Sequence, residues 1–154
     1  MPAPLFCHKH RVTYADCTVG NHVYHSRYLD LLEAARGEFF RHAGQSLLQW
    51  QQAGAIFPVT ECQMRFRAPA RYDDVLSIEV WPSAVDRVRL RFGHRILTGD
   101  DRLILEAETC HVCTGLEGKP RRLPEELAQV LDPIIRSDLT RALKGLRCKT
   151  SDSL

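Results

Sequence analysis

The sequence predicts an α+β fold in which an antiparallel five-stranded sheet carries one long helix on one face. Three observations carry that expectation. Only one early stretch shows a long helix stripe, the strand candidates after it arrive in series, and the connections between them are too short to hold a helix. Neighbouring strands must therefore run antiparallel. With 154 residues, 44% hydrophobic and 26% charged, the chain has the size and composition of one soluble globular domain, which excludes collagen-like, coiled-coil and wholly disordered classes. Residues 1–143 are assigned to that domain, and the polar residues 144–154 to a disordered tail.

Residues 9–14 read as a short first strand, which breaks into the irregular polar stretch of residues 16–22. Tyr28, Leu31, Leu32, Ala35 and Phe39 then recur at the spacing of one helix face, which predicts a helix over residues 26–43 with Gly44 as its stop. Residues 47–53 suit a second, short helix closed by Gly54. Strands are predicted over residues 57–66, 75–81, 88–97 and 103–114 from their β-branched and aromatic content. Ala68-Pro69, Pro82-Ser83, Gly99-Asp100-Asp101 and residues 115–118 supply the turns between and after them. Pro124 opens a C-terminal segment with Leu127, Val130, Leu131, Ile134 and Ile135 at helical spacing, and Pro133 should kink or break it.

Lys plus Arg total 21 against 19 Asp plus Glu, so a formal charge of +2 gives no general reason to expect nucleic acid. The first seven residues lack the charged region and apolar run of a secretory signal, and no stretch approaches the roughly 20 apolar residues that cross a bilayer. A cytoplasmic protein without a membrane span is expected. The six cysteines, at 7, 17, 62, 110, 113 and 148, are then expected as reduced thiols. Cys110-His111-Val112-Cys113 has the spacing of a metal knuckle, but on a strand residues 110 and 113 point to opposite faces. No metal or cofactor site is expected.

The irregular stretch carries a resemblance. Tyr14-Ala15-Asp16-Cys17-Thr18-Val19-Gly20-Asn21-His22-Val23-Tyr24-His25-Ser26-Arg27-Tyr28, followed by Glu33-Ala34-Ala35-Arg36, resembles the signature of hotdog-fold acyl-CoA thioesterases. The most similar branches are the 4-hydroxybenzoyl-CoA thioesterases and the Tol-Pal-associated acyl-CoA thioesterases. Phe66-Arg67-Ala68-Pro69, Tyr72-Asp73-Asp74-Val75-Leu76, Gly118-Lys119-Pro120 and Leu123-Pro124 extend the likeness over residues 9–125. The resemblance implies a sheet wrapped around a central helix, homodimers or homotetramers, and active sites at the dimer interface. It implies hydrolysis of an acyl-CoA or acyl-carrier-protein thioester to a free acid and the thiol, without metal.

One position departs from the pattern. Where both branches place the catalytic carboxylate, this chain has Thr18, whose hydroxyl cannot act as a carboxylate nucleophile and is a poor base. The rival reading is a non-catalytic acyl-thioester binding protein that keeps the fold. A hotdog dehydratase needs a differently arranged His and acid pair, which the chain lacks.

Thioester hydrolysis needs a polarised carbonyl and an activated water, but no strong acid, because a thiolate leaves readily. Backbone N–H groups of about Tyr24, His25 and Ser26, at the start of the long helix, suit the developing oxyanion. Asp16 can orient water or cap the loop. Thr18 can hold water or satisfy the loop backbone. His25 can position water or take a proton, or cap the helix. Glu33 falls about 140° from the centre of the buried stripe, beside Leu29 and Phe40, on a partly apolar side that suits a partner surface. There Arg36 can neutralise it. Other hotdog thioesterases place their catalytic acid on this helix, so the resemblance implies that, with Thr18 in place of the acid, Glu33 is the best replacement carboxylate. Arg65, Arg67 and Arg71 suit the phosphates of coenzyme A, or form a solvated basic loop. His22, Asp73 and Asp74 are left as loop formers.

Overall fold

The structure, a computed structural model, describes residues 5–137. Its elements are β1 (Cys7–Arg11), β2 (Cys17–Thr18), β3 (His22–Val23), α1 (Arg27–His42), α2 (Leu47–Gln52), β4 (Val59–Phe66), β5 (Val75–Val85), β6 (Arg89–Leu97), β7 (Leu103–Val112) and α3 (Glu125–Ile135). Five strands form one sheet in the order β1-β5-β6-β7-β4, antiparallel throughout, as the short connections require. The assigned tail, residues 144–154 with Cys148, lies outside the described residues.

Helix α1 is held by the stripe that predicts it. Tyr28, Leu31, Leu32, Ala35 and Phe39 are all buried, and at about 1.5–3 kcal/mol for each large apolar side chain they supply much of the helix-on-sheet attachment. Phe39 and Phe40 meet Phe92 of β6 with ring centroids 5.4 and 5.7 Å apart. The helix stops where Gly44 takes a φ of +122°, a conformation that a Cβ disfavours. Phe40, expected on the uncovered side with Glu33, is buried, stacked on Phe57 at 5.4 Å. The chain after α2 folds back over that side and brings Phe57 with it, which a helical wheel cannot anticipate.

The structure corrects four further expectations. The first strand is Cys7–Arg11 and not residues 9–14, because Tyr14–Asp16 winds into a single 3₁₀ turn. The polar stretch is not irregular but a small hairpin, β2 pairing with β3. Its tip places Gly20 at a φ of +92° and Asn21 at +56°, conformations that Gly and Asn accept most readily.

Strand β5 runs through Pro82-Ser83, which were expected to turn. Among the described residues β1 pairs with β5 as far as Glu79, and the Val80 N–H donates to Phe6 O just beyond, so Pro82 sits past that cover and lacks no ladder bond there, and a register shift between Pro82 and Ala84 absorbs it. The true turn lies at Asp86, whose carboxylate accepts the N–H groups of Val88 and Arg89 at 3.0 and 2.8 Å. Helix α3 likewise continues past Pro133 to Ile135. A proline this close to a helix end removes one bond without breaking the preceding turns.

Strand β4 is the opposite edge of the sheet, paired only with β7 among the described residues, and all of it but Met64 is exposed. No helix of the described residues is long and apolar enough to cross a membrane. Cys7, Cys17, Cys62, Cys110 and Cys113 are free thiols.

Candidate active site

The hairpin is fastened in front of α1 by the loop before β5. Val23 N–H donates to Ala70 O at 2.8 Å, Arg71 Nη1 to Asn21 O at 3.3 Å, and Tyr72 N–H to Asn21 Oδ1 at 3.4 Å. The Tyr28 hydroxyl accepts the Ala70 N–H at 3.3 Å, tying the first turn of α1 to the same loop. Tyr14 and Tyr72 stack with ring centroids 4.0 Å apart.

Asp16 is the most heavily bonded residue of this loop. Its Oδ2 lies 2.8 Å from His10 Nε2 and accepts the Thr13 N–H at 2.9 Å and the Thr13 hydroxyl at 3.1 Å. Partial burial pushes its pKa up, but the bonds from Thr13 and His10 outweigh that and hold it below the ordinary value. The carboxylate is thus turned back toward β1. Thr18 is exposed on β2, opposite His22. His25 is exposed with its ring 4.4 Å from that of Tyr24.

The Tyr24 N–H donates to Asp16 O at 2.9 Å and is therefore taken. The amides of His25 and Ser26 have no backbone acceptor among the described residues, and Ser26, the residue before α1, makes no capping bond with its side chain. These two amides remain open to a ligand.

A second stripe of α1 runs from this point. At about 100° per residue, Ser26, Leu29, Glu33, Arg36 and Phe40 share one side of the helix. The first three are exposed and the last two buried, so the stripe descends into the molecule. Where it descends there is a cavity of about 230 Å³, lined by Glu33, Arg36, Phe40, Leu47, Phe57 and His111 among others.

Arg36 is only 8% exposed, and its Nη1 donates toward His94 Nε2 at 3.5 Å. Among the described residues no ion pair joins it to Glu33. Burial lowers the Arg36 pKa, and the charge of Glu33 acts in the opposite sense. His111 contacts Phe57 O through Nδ1 at 2.9 Å and the Thr109 hydroxyl through Nε2 at 2.9 Å. A carbonyl can only accept, so Nδ1 carries the proton and Nε2 accepts from Thr109. Burial holds the His111 pKa down to about 4.

The arginines expected to meet phosphate differ in their surroundings. Arg67 is engaged by Glu106, with Nε and Nη2 at 3.1 and 3.0 Å from one carboxylate oxygen. Arg71 supports the hairpin tip through Asn21. Arg65, on β4, is exposed and makes no ion pair among the described residues. Phe66 beside it lies 5.7 Å from Tyr28, so this end of β4 adjoins the start of α1. Asp73 and Asp74 shape the loop, accepting from the Arg11 guanidinium at 3.2 Å and the Arg71 N–H at 2.9 Å.

His94 is not singled out in the sequence, and His111 only within the Cys110-His111-Val112-Cys113 spacing that is set aside as a metal site. Both occupy inward positions in alternating strands, next to Phe92 and Ile96 or to Thr109 and Ala107, and a polar ring at such a position was the available signal.

The sequence pattern of the thioesterase-like superfamily matches residues 12–131. The acyl-CoA thioester hydrolase YbgC of Escherichia coli O6:H1 is 35% identical over 128 residues, covering 82% of this chain and 96% of that protein. The 4-hydroxybenzoyl-CoA thioesterase of Pseudomonas sp. strain CBS-3 is 28% identical over 131 residues, covering 79% and 92%. Among solved structures, a probable thioesterase from Bartonella henselae superposes with a TM-score of 0.74 at 31% identity, covering 79% of this chain and all of that one.

Proposed function

The chain belongs to the thioesterase-like superfamily and has its hotdog fold, and from that premise we infer that it is an acyl-CoA thioester hydrolase that uses Glu33 in place of the acid lost at Thr18. The overall reaction adds water across the thioester, giving a free carboxylic acid and coenzyme A. Glu33 takes a proton from the attacking water while the carbonyl oxygen turns toward the amides of His25 and Ser26. The tetrahedral intermediate collapses with loss of the thiolate, which needs little protonation to leave.

The observation that carries this reading is the shared face of Ser26 and Glu33. They lie seven residues apart, about 10 Å along the axis, and the Glu33 side chain leans back toward the helix start. That interval fits a carbonyl and a water. Asp16 has the competing claim, but its carboxylate is occupied by His10 and Thr13. We assign it to holding the loop. We assign Thr18 and His25, both exposed, to positioning water, and Arg65 and Arg71 to the coenzyme A phosphates, while Arg67 is partnered by Glu106.

The enzyme acts as a homodimer in this reading. Strand β4 offers eight residues of open edge, and pairing with a second copy across a two-fold axis is the ordinary way to close such an edge. Tetramers would pair two such dimers. A cytoplasmic location fits a coenzyme A thioester or a carrier-protein thioester as substrate.

Steady-state hydrolysis over a panel of acyl-CoA thioesters, read with a thiol-trapping dye, tests the reaction, and sedimentation at micromolar concentration tests the dimer. Tight acyl-CoA binding without turnover would support the rival reading, a binding protein that lost its acid at position 18.

A further inference from the structure

The stripe Ser26, Leu29, Glu33, Arg36, Phe40 passes from exposed to buried, and the cation on it lies deeper than the anion. This sets a polarity for any thioester laid along it. Coenzyme A is large and stays outside, so the reacting carbonyl is met on the exposed part of the stripe, between Ser26 and Glu33, and the far end of the acyl group is met at Arg36.

Arg36 is more than nine-tenths buried and lines the cavity. Its polar contact with a side chain is the neutral acceptor face of His94, with no carboxylate in ion-pair range among the described residues. Of the other polar groups nearby, His111 is engaged by Phe57 and Thr109, partial desolvation raises the Cys62 thiol pKa, and the Glu33 carboxylate acts on Arg36 through its charge without forming an ion pair. A buried guanidinium without an anion costs several kcal/mol, and a carboxylate that reaches it forms paired, charge-assisted bonds. Glu33 stands at the exposed rim of the cavity, and the remaining walls, Phe40, Leu47, Phe57, Pro58 and Val59, are apolar.

The volume limits the ligand. About 230 Å³ falls below the roughly 300–1,000 Å³ of pockets that enclose drug-sized molecules, which suits a short acyl group. Arg36 lies ten residues beyond Ser26, about 15 Å along the axis, and a helical side chain of its length leans back over part of that distance, so the acyl group between carbonyl and guanidinium is short.

Resting on the hydrolase reading above, we propose that this cavity selects short acyl groups that end in a carboxylate, with Arg36 receiving the terminal anion. Both a ring bearing a carboxylate and a short dicarboxylic half-thioester have this chemistry, and the test separates them.

Four substrates are compared in the full-length protein: 4-carboxybenzoyl-CoA against benzoyl-CoA, and glutaryl-CoA against pentanoyl-CoA. At least one carboxylated member is expected to exceed its uncharged counterpart tenfold or more in kcat/KM, the better pair identifying ring or chain. Arg36→Met keeps the length of the side chain and removes the charge, and it is expected to lose the preference, lowering kcat/KM for the carboxylated member relative to its uncharged counterpart. Preference of the wild type for the uncharged member of both pairs overturns the proposal. So does an Arg36→Met variant that loses kcat equally on all four, which assigns Arg36 to the oxyanion or to structure.

Binding gives a readout that needs neither turnover nor the variant. Benzoate is expected to raise the wild-type melting temperature at concentrations where benzamide does not. Equal shifts from the two overturn the inference. If no thioester is hydrolysed but benzoate alone stabilises, the hydrolase reading fails and the anion site stands.

Discussion

The carboxylate of Asp16 and the imidazole of His10 meet at 2.8 Å, joining the turn before the hairpin to the strand that leads into it. The same oxygen accepts the Thr13 N–H and hydroxyl, so one side chain fixes the path of the chain from β1 toward the helix. On the proposed reading Asp16, the acid of the motif that this chain retains, holds the loop and leaves the chemistry to Glu33.

Asp16→Ala is expected to lower stability by about 1.5–3 kcal/mol, the cost of losing hydrogen bonds to a charged group, measured as a fall in the urea midpoint at unchanged slope. The effect depends on pH. The folded-state pKa of Asp16 is depressed, so its contribution is fully present above the unfolded value near 3.8 and is lost as pH falls through the lower folded value. The stability difference between wild type and variant should shrink only below about pH 4.

Glu33→Gln is expected to reduce kcat by about 10²-fold or more, the usual share of a positioned base, with little change in melting temperature because Glu33 is exposed. Asp16→Asn should cost less turnover. Thr18 is exposed on a two-residue strand, so Thr18→Asp is expected to fold, and to raise hydrolysis of at least one acyl-CoA by about 10²-fold if the loop still accommodates the family's carboxylate. Equal, small losses in Glu33→Gln and Asp16→Asn would remove Glu33 from the mechanism.

His111 sets a second pH window. Its pKa is about 4 in the fold against an ordinary 6.5, so between those values the unfolded chain binds a proton that the folded chain refuses. Stability from this group is intact above about pH 6.5 and falls as pH drops through 4, by roughly 3–3.5 kcal/mol in all. His111→Gln should flatten that part of the stability profile, as followed by denaturant midpoints between pH 7 and 4.5.

Gly93→Ala tests the packing of the sheet face. A Cβ at Gly93 would lie 2.4 Å from the buried ring of Trp81, on the neighbouring strand β5. Overpacking of that kind costs typically about 1–3 kcal/mol, and a matching loss of thermal stability is expected without a specific effect on KM.

The sequence by itself determined the fold class, the position of α1 and the family. Those depend on local periodicity and on the spacing of a motif within about fifteen residues, and both survive in one dimension. The ladder order was not legible, since β4 pairs with β7 across roughly forty residues of chain. The path through Pro82 depended on where β1 ends, a fact about a strand more than seventy residues away.

The candidate site divides along the same line. Glu33 and Arg36 could be placed together on a helix wheel, but not the direction in which each one faces. Tertiary packing decided that. The segment after α2 returned over Phe40, and strands β6 and β7 brought His94 and His111 beneath the helix, so that Arg36 was buried and Glu33 was left at the surface. Burial is a property of everything that closes around a residue, and no window of sequence contains it.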